Sequence, residues 1–279
     1  MKYKTLFWVM MYITSVLCYL PYGISLAVGT FAAVRLVYGN AQAEAVERPS
    51  RGATRLSPVA ATLLCLFPQV VGLASSLMPS GFNEVTSFML SDGRAFAYPG
   101  PLFLLLPIMP VVAVWYLYGL RVAQRRLFEP KVCWVALLTM LCAFPLVYNW
   151  NDVARSSSID NPWRSIHLGV KSFYYNGLWE ELHYRFLLVP MFCGYFKRNF
   201  SIVLAALLFT LSHIDLLATF LAVPSSSSLM ALLGIFLLGL VSGHCFCVTR
   251  SIIPCVVYHG LCSGSTYLVS GIGRLLLQP

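Results

Sequence analysis

The chain has 279 residues, 58% of them hydrophobic and 10% charged, with a net charge of +9 and a mean hydropathy of +0.75. Soluble domains carry about 25% charged residues, so this composition excludes a soluble globular protein. The basic residues are spread between apolar runs and line no single face, which excludes a nucleic-acid-binding surface; the charge reports on membrane topology instead.

Apolar runs long enough to cross a bilayer recur along the chain. They predict an all-α, polytopic protein of about eight transmembrane helices, with spans at 5–38, 58–78, 101–120, 132–150, 168–195, 201–223, 229–249 and 251–270. The first run, "MKYKTLFWVMMYITSVLCYLPYG", begins like a signal peptide. Its apolar character continues past Pro21 to Val37 with no small-x-small cleavage site, so it reads as a retained span kinked at Pro21 and Gly23. The stretches between spans have the polar, Gly, Pro and Ser-rich character of connections. The segment 79–100 carries enough Phe and Met to be interfacial or re-entrant. The nine cysteines lie mostly within apolar runs and form no CxxC pair, which reads as buried, reduced thiols. Eight spans put both termini on one side. The positive-inside rule favours the side carrying Arg48, Arg51, Arg55, Arg121, Arg125, Arg126, Lys131, Lys197, Arg198 and Arg250 as cytosolic, with the termini opposite.

Removing the connections leaves a short inventory of polar groups at membrane depth. Glu180, Glu181 and Asp215 are the acids, Arg185 is the cation well inside a span, and His183, His213, His244 and His259 are the histidines. Nearly all lie in the last four spans. The chain therefore reads as one integral membrane domain, with N-terminal spans in 1–150 and the chemistry-bearing helices in 151–279. Charges at this depth are costly, about 2.5–3.5 kcal/mol each on insertion scales, and mark function.

In "GLWEELHYRFLLVP", Glu181 and Arg185 are i and i+4, the favourable order for an ion pair. Glu180 falls about 140° from Arg185 on the helical wheel and shares its own face with Asn176, His183 and Tyr184. One carboxylate is committed to a partner and the other is available. Removal from water makes an unpaired carboxylate a stronger base, which suits general-base work near neutral pH. "FTLSHIDL" puts Phe209 and His213 at i and i+4 on the sixth span. "SIIPCVVYHGLCSGSTY" puts His259 mid-span with Ser263 one turn later, among small residues that let backbone or substrate approach. Gly239 and Gly243 form a GxxxG match, read as internal helix packing.

These motifs stand in order: EExxxR at Glu180–Arg185, FxxxH at Phe209–His213, and His259 followed four residues later by a small polar residue. The set resembles the CAAX protease and bacteriocin-processing family of intramembrane proteases over about 168–270. Within it, Pro190 and the "SIIP" lead into His259 are most similar to the eukaryotic CAAX prenyl protease 2 group, the type II prenyl endopeptidases. The resemblance implies that Glu180 and His213 activate a water and that His259 stabilises the oxyanion. Glu181 and Arg185 correspond to the family's supporting pair. The family's asparagine four residues after the last histidine is Ser263 here, which leaves Ser263 or Asn176 as the second oxyanion donor. It further implies substrates that are prenylated CaaX-terminated proteins, a multi-pass location in the endoplasmic reticulum membrane, the lipid bilayer as partner, and no cofactor. Two rivals remain. One is a zinc-dependent protease with Glu180, His213 and His259 as a His₂Glu site, although no HExxH is present. The other is a non-enzymatic transporter or scaffold in which the same residues form a packing network.

Overall fold

The computed structural model describes residues 2–17, 22–39, 129–148 and 161–277. The expected spans at 58–78 and 101–120 and the segment 79–100 lie outside the described residues. By packing the chain divides into two units, Met1–Arg48 with Arg121–Pro279, and Pro49–Leu120. All that follows concerns the first.

Among the described residues the regular structure is all helical. The helices are α1 (Lys2–Leu17), α2 (Tyr22–Tyr38), α3 (Pro130–Tyr148), α4 (Pro162–Ser172), α5 (Val189–Cys193), α6 (Arg198–Leu211), α7 (Ile214–Ala222), α8 (Ser226–Thr249) and α9 (Ile253–Leu277). Two π-helical segments, Phe173–Trp179 and Leu182–Leu188, join α4 to α5. The starts of α4 and α8 follow local chemistry. Asn161 accepts from the backbone N–H of Trp163 and Arg164 with Pro162 in the first turn, and Ser225 accepts from Ser228 N–H. Between α8 and α9 the chain turns sharply through Arg250, held left-handed at φ 52°.

The expected first span, 5–38, is two helices. Trp8 packs on Phe31 with ring centroids 4.6 Å apart, and a Cβ on Gly29 would meet the Tyr12 ring at 3.0 Å, so α1 folds back along α2. The two helices lie side by side where the sequence alone reads one kinked span; Pro21 lies outside the described residues. The core where these helices meet α3, α8 and α9 is Leu26, Ala27, Ala143, Val241 and Tyr258. A Tyr12 hydroxyl donating to Cys142 O at 2.5 Å pins α1 to α3.

Several helices turn large apolar side chains outward. Trp134, Leu137, Met140 and Leu141 of α3 are exposed, as are Phe200, Val203, Leu207 and Leu211 of α6 and Leu229, Met230 and Leu233 of α8. Contiguous apolar surface on successive helices is a liability in water and suits a hydrocarbon solvent. By length and composition Ser226–Thr249 can cross a membrane, and the bent pair Arg198–Leu211 plus Leu216–Ala222 makes a second. The described residues thus supply one or two such spans toward the eight expected.

Small residues set the helix spacing around the site. Gly239 and Gly243 of α8 face α6, where an added Cβ would meet Ala206 Cβ at 2.8 Å and Ile202 Cγ2 at 2.9 Å. The GxxxG match is therefore internal packing. On α9 the small residues admit backbone. A Cβ on Gly260 would run into the Phe173 ring, and one on Gly264 would meet Gly169 O at 2.8 Å. This close approach brings the glutamate-bearing segment against the helix that carries His259.

Candidate active site

Glu180 and Glu181 sit at the joint between the two π-helical segments. A π turn bonds i to i+5 and so carries an extra residue, which re-aims side chains relative to an α register; such segments concentrate at functional sites. Glu181 is fully buried and Arg185 is 1% exposed, with Arg185 Nη1 3.1 Å from Glu181 Oε1. The i, i+4 pair expected from the sequence is present. The same Glu181 Oε1 also accepts a hydrogen bond from His259 Nδ1 at 2.8 Å. An ionised carboxylate can only accept, so the Nδ1 proton is on the imidazole.

The other ring nitrogen of His259 lies 3.6 Å from Glu180 Oε2, longer than a hydrogen bond but within ion-pair range. His259 therefore stands between the two adjacent carboxylates, its Nδ1 anchored and its Nε2 turned toward Glu180. Glu180 retains 24% side-chain exposure against 0% for Glu181. Its Oε2 has no hydrogen-bond partner among the described residues. Glu181 Oε2 is likewise without a hydrogen-bond partner among the described residues, so the two carboxylates differ in exposure and in their contact with His259.

His213 reaches the site through the end of α6. In the last turn, side chains compete with the backbone for its carbonyls. Thr210 Oγ1 donates to Ala206 O at 2.9 Å, while Ser212 Oγ and His213 Nδ1 donate to Phe209 O at 2.7 and 2.9 Å. This side-chain competition ends the helix. The expected continuous span 201–223 is instead α6 and α7, bent by 72°, with His213 at the break. With Nδ1–H donated to Phe209 O, the neutral form of His213 would present Nε2 as an acceptor. The Phe209 ring packs against both His213 and His259, which brings the end of α6 to this part of the site.

Phe209 has a larger part in this cluster than its motif indicates. Its ring lies 4.3 Å from the Arg185 guanidinium carbon and meets Tyr184 at 5.1 Å, His213 at 4.9 Å and His259 at 5.6 Å between centroids. The signal in the sequence was its i, i+4 relation to His213; nothing there indicated the contacts with Arg185 and His259.

Other candidates fall elsewhere. His183 is buried, but its Nδ1 donates to Trp179 O at 2.9 Å and its ring packs on Trp179 at 4.6 Å. Tyr184 packs on Phe209, so the two residues that the wheel put beside Glu180 both have other neighbours. His244 stacks on Phe31 at 4.5 Å in a different part of the bundle. Ser263 is half-buried on α9 one turn after His259. Asn176 lies in the first π-helical segment, and the side chains of Asn176 and Asp215 lie outside the described residues. Among the described residues, no three His, Cys, Asp or Glu side chains are grouped to hold a metal ion.

Among the described residues, these features compose a helical protein with apolar residues on its outer faces and a cluster of carboxylates and imidazoles inside. Residues 162–265 match the family described as type II CAAX prenyl endopeptidase Rce1-like. The matched segment includes Glu180, Glu181, Arg185, Phe209, His213, His259 and Ser263. This is a family of membrane-associated CAAX proteases, whose substrates are prenylated proteins. No curated protein and no solved structure matches the chain.

Proposed function

We propose that the protein is an intramembrane endopeptidase that removes the C-terminal tripeptide from prenylated CaaX proteins, in the endoplasmic reticulum membrane. The helices of 151–279 carry the chemistry and the spans of 1–150 complete the scaffold. The observation that carries this reading is the asymmetry of the glutamates. Glu181 is fully buried, with one oxygen that pairs with Arg185 and accepts from His259, while Glu180 is partly exposed and its Oε2 meets His259 Nε2 only at 3.6 Å.

In the proposed reaction Glu180 takes a proton from water as the water oxygen attacks the scissile carbonyl. His213, its Nδ1–H engaged by Phe209 O, directs Nε2 to hold and orient that water. The tetrahedral oxyanion needs donors about 2.7–3.1 Å away. His259, doubly protonated between the two carboxylates, supplies Nε2–H while its Nδ1–H stays on Glu181, and Ser263 supplies its hydroxyl directly or through a water. The proton on Glu180 passes to the leaving amine as the C–N bond breaks, giving a prenylcysteine carboxylate and a free tripeptide. A prenyl chain already partitions into the bilayer, so a site among lipid-facing helices meets its substrate where that substrate resides. The test is incubation of detergent-purified protein with a farnesylated CaaX peptide and detection of the released tripeptide by mass spectrometry. Absence of the product, with intact folded protein, overturns the reading.

A further inference from the structure

We propose that Phe209 is the positioning residue of this site: one aromatic ring that fixes the two imidazoles, His213 and His259, relative to each other and to Arg185. The inference rests on the Glu180-centred reaction proposed above, and adds a residue that touches neither substrate nor water in it.

The geometry is specific. The Phe209 ring is 1% exposed and has contacts from four directions. The Arg185 guanidinium carbon lies 4.3 Å from the ring centroid, inside the range of a desolvated cation–π contact. His213 and His259 meet it at interplanar angles of 85° and 82°, the T-shaped arrangement that the ring quadrupole favours. Tyr184 meets it at 66° from the π-helical segment beyond Glu181. The contacts come from three chain segments: Tyr184 and Arg185 follow the glutamates, His213 ends α6, and His259 is on α9. Phe209 O also accepts the Nδ1 proton of His213, so one residue orients that imidazole through both backbone and side chain.

The ring is itself packed. α8 comes close to α6 at Gly239, where a Cβ would meet Ala206 Cβ at 2.8 Å and Phe209 Cδ1 at 3.4 Å. Gly239 thus lets α8 pack beside the ring. Arg185 then closes a circuit, since it stacks on Phe209 and pairs with Glu181, which in turn holds His259 Nδ1. Both imidazoles that the reaction needs are thus referred to the same ring, one directly and through its carbonyl, the other directly and through Arg185 and Glu181.

The test uses the full-length protein in detergent with a farnesylated CaaX peptide, comparing wild type, Phe209→Leu and a protein carrying pentafluorophenylalanine at position 209. Fluorination keeps the ring shape and withdraws charge from its faces, so it removes the attraction to Arg185 with little change in packing. Displacing reacting groups by about 1 Å costs on the order of 10²-fold in rate. The expected result for Phe209→Leu is a loss of kcat on that order with KM within about twofold, together with a displaced pH–rate profile. The fluorinated protein falls between Leu and wild type at an unchanged unfolding temperature. The ¹⁵N resonances of His213 and His259, assigned through His→Gln variants, titrate differently in Phe209→Leu, a readout that does not depend on turnover. A purely structural role gives a lower folded fraction with wild-type kcat per folded molecule, the wild-type pH profile and unaltered titration of both histidines. That result overturns the proposal. Failure of the underlying reaction shows separately, as retained turnover in Glu180→Gln, and the histidine titrations then decide the role of Phe209 alone.

Discussion

Replacing Arg185 by Met tests the electrostatic frame of the site most sharply. Arg185 is 1% exposed, its Nη1 is 3.1 Å from Glu181 Oε1, and Glu181 has no exposure of its own. Methionine fills much of the arginine stem's volume, so the dominant change is the loss of the charge. Glu181 is then a buried carboxylate with His259 as its remaining hydrogen-bond partner among the described residues. Breaking a buried pair from one side costs about 3–5 kcal/mol, because the surviving charge is left uncompensated. For a chain of this size about 2–4 °C in unfolding temperature corresponds to each kcal/mol, so the expected drop is about 6–20 °C. The assay is thermal unfolding in detergent, run beside the double variant Glu181→Gln/Arg185→Met. Removing both charges takes away the uncompensated carboxylate, and the amide oxygen of the introduced glutamine can still accept from His259 Nδ1. The double variant should therefore be more stable than Arg185→Met alone. A drop of under about 1 kcal/mol for Arg185→Met, the range of an exposed ion pair, refutes the reasoning, as does a double variant no more stable than Arg185→Met.

Two further predictions concern the chemistry. Ser263→Ala should lower kcat by up to about 10²–10³-fold, the cost of one lost oxyanion donor, with a smaller effect on KM, and Ser263→Asn should match or exceed wild type. A silent Ser263→Ala beside a severely impaired Asn176→Ala assigns the donor to Asn176. Dialysis against a strong chelator should leave turnover intact, and metal analysis should find no stoichiometric zinc; activity lost to chelator and restored by one equivalent of zinc points to the His₂Glu alternative.

What the sequence discloses about this site follows the distinction between local and tertiary geometry. The Glu181–Arg185 pair is legible because i and i+4 are neighbours on any helix, and the pair closes here even though the segment is π-helical. The isolation of Glu180 from an in-helix cation is legible for the same reason. The partner it does have, His259 Nε2, comes from α9 and depends on Gly260 and Gly264 letting two backbones approach, which no spacing rule encodes. The two-sided role of His259 is equally tertiary. The resemblance implies an oxyanion donor there, and no spacing shows that its Nδ1 is anchored on Glu181. The wheel placed His183 and Tyr184 on the face of Glu180, and the packing of His183 on Trp179 and of Tyr184 on Phe209 is tertiary detail it does not carry. His213 sits where the FxxxH spacing puts it, but the helix end at Ser212 arises from three side chains capturing carbonyls, a signal present in "FTLSH" and outweighed by its apolar run. A kink is legible at Pro21 and Gly23, while the packing of α1 along α2 rests on tertiary contacts of Trp8 and Tyr12.

The central claim is that Glu180 is the base and that its neighbour is not. The direct measurement is single-turnover release of tripeptide from a farnesylated CaaX peptide by purified wild type and Glu180→Gln, each checked for its unfolding temperature. The account predicts product from wild type, none above background from Glu180→Gln, and equal unfolding temperatures for the two, since the exchange removes a base with little change of shape. Equal rates of release from both proteins contradict it.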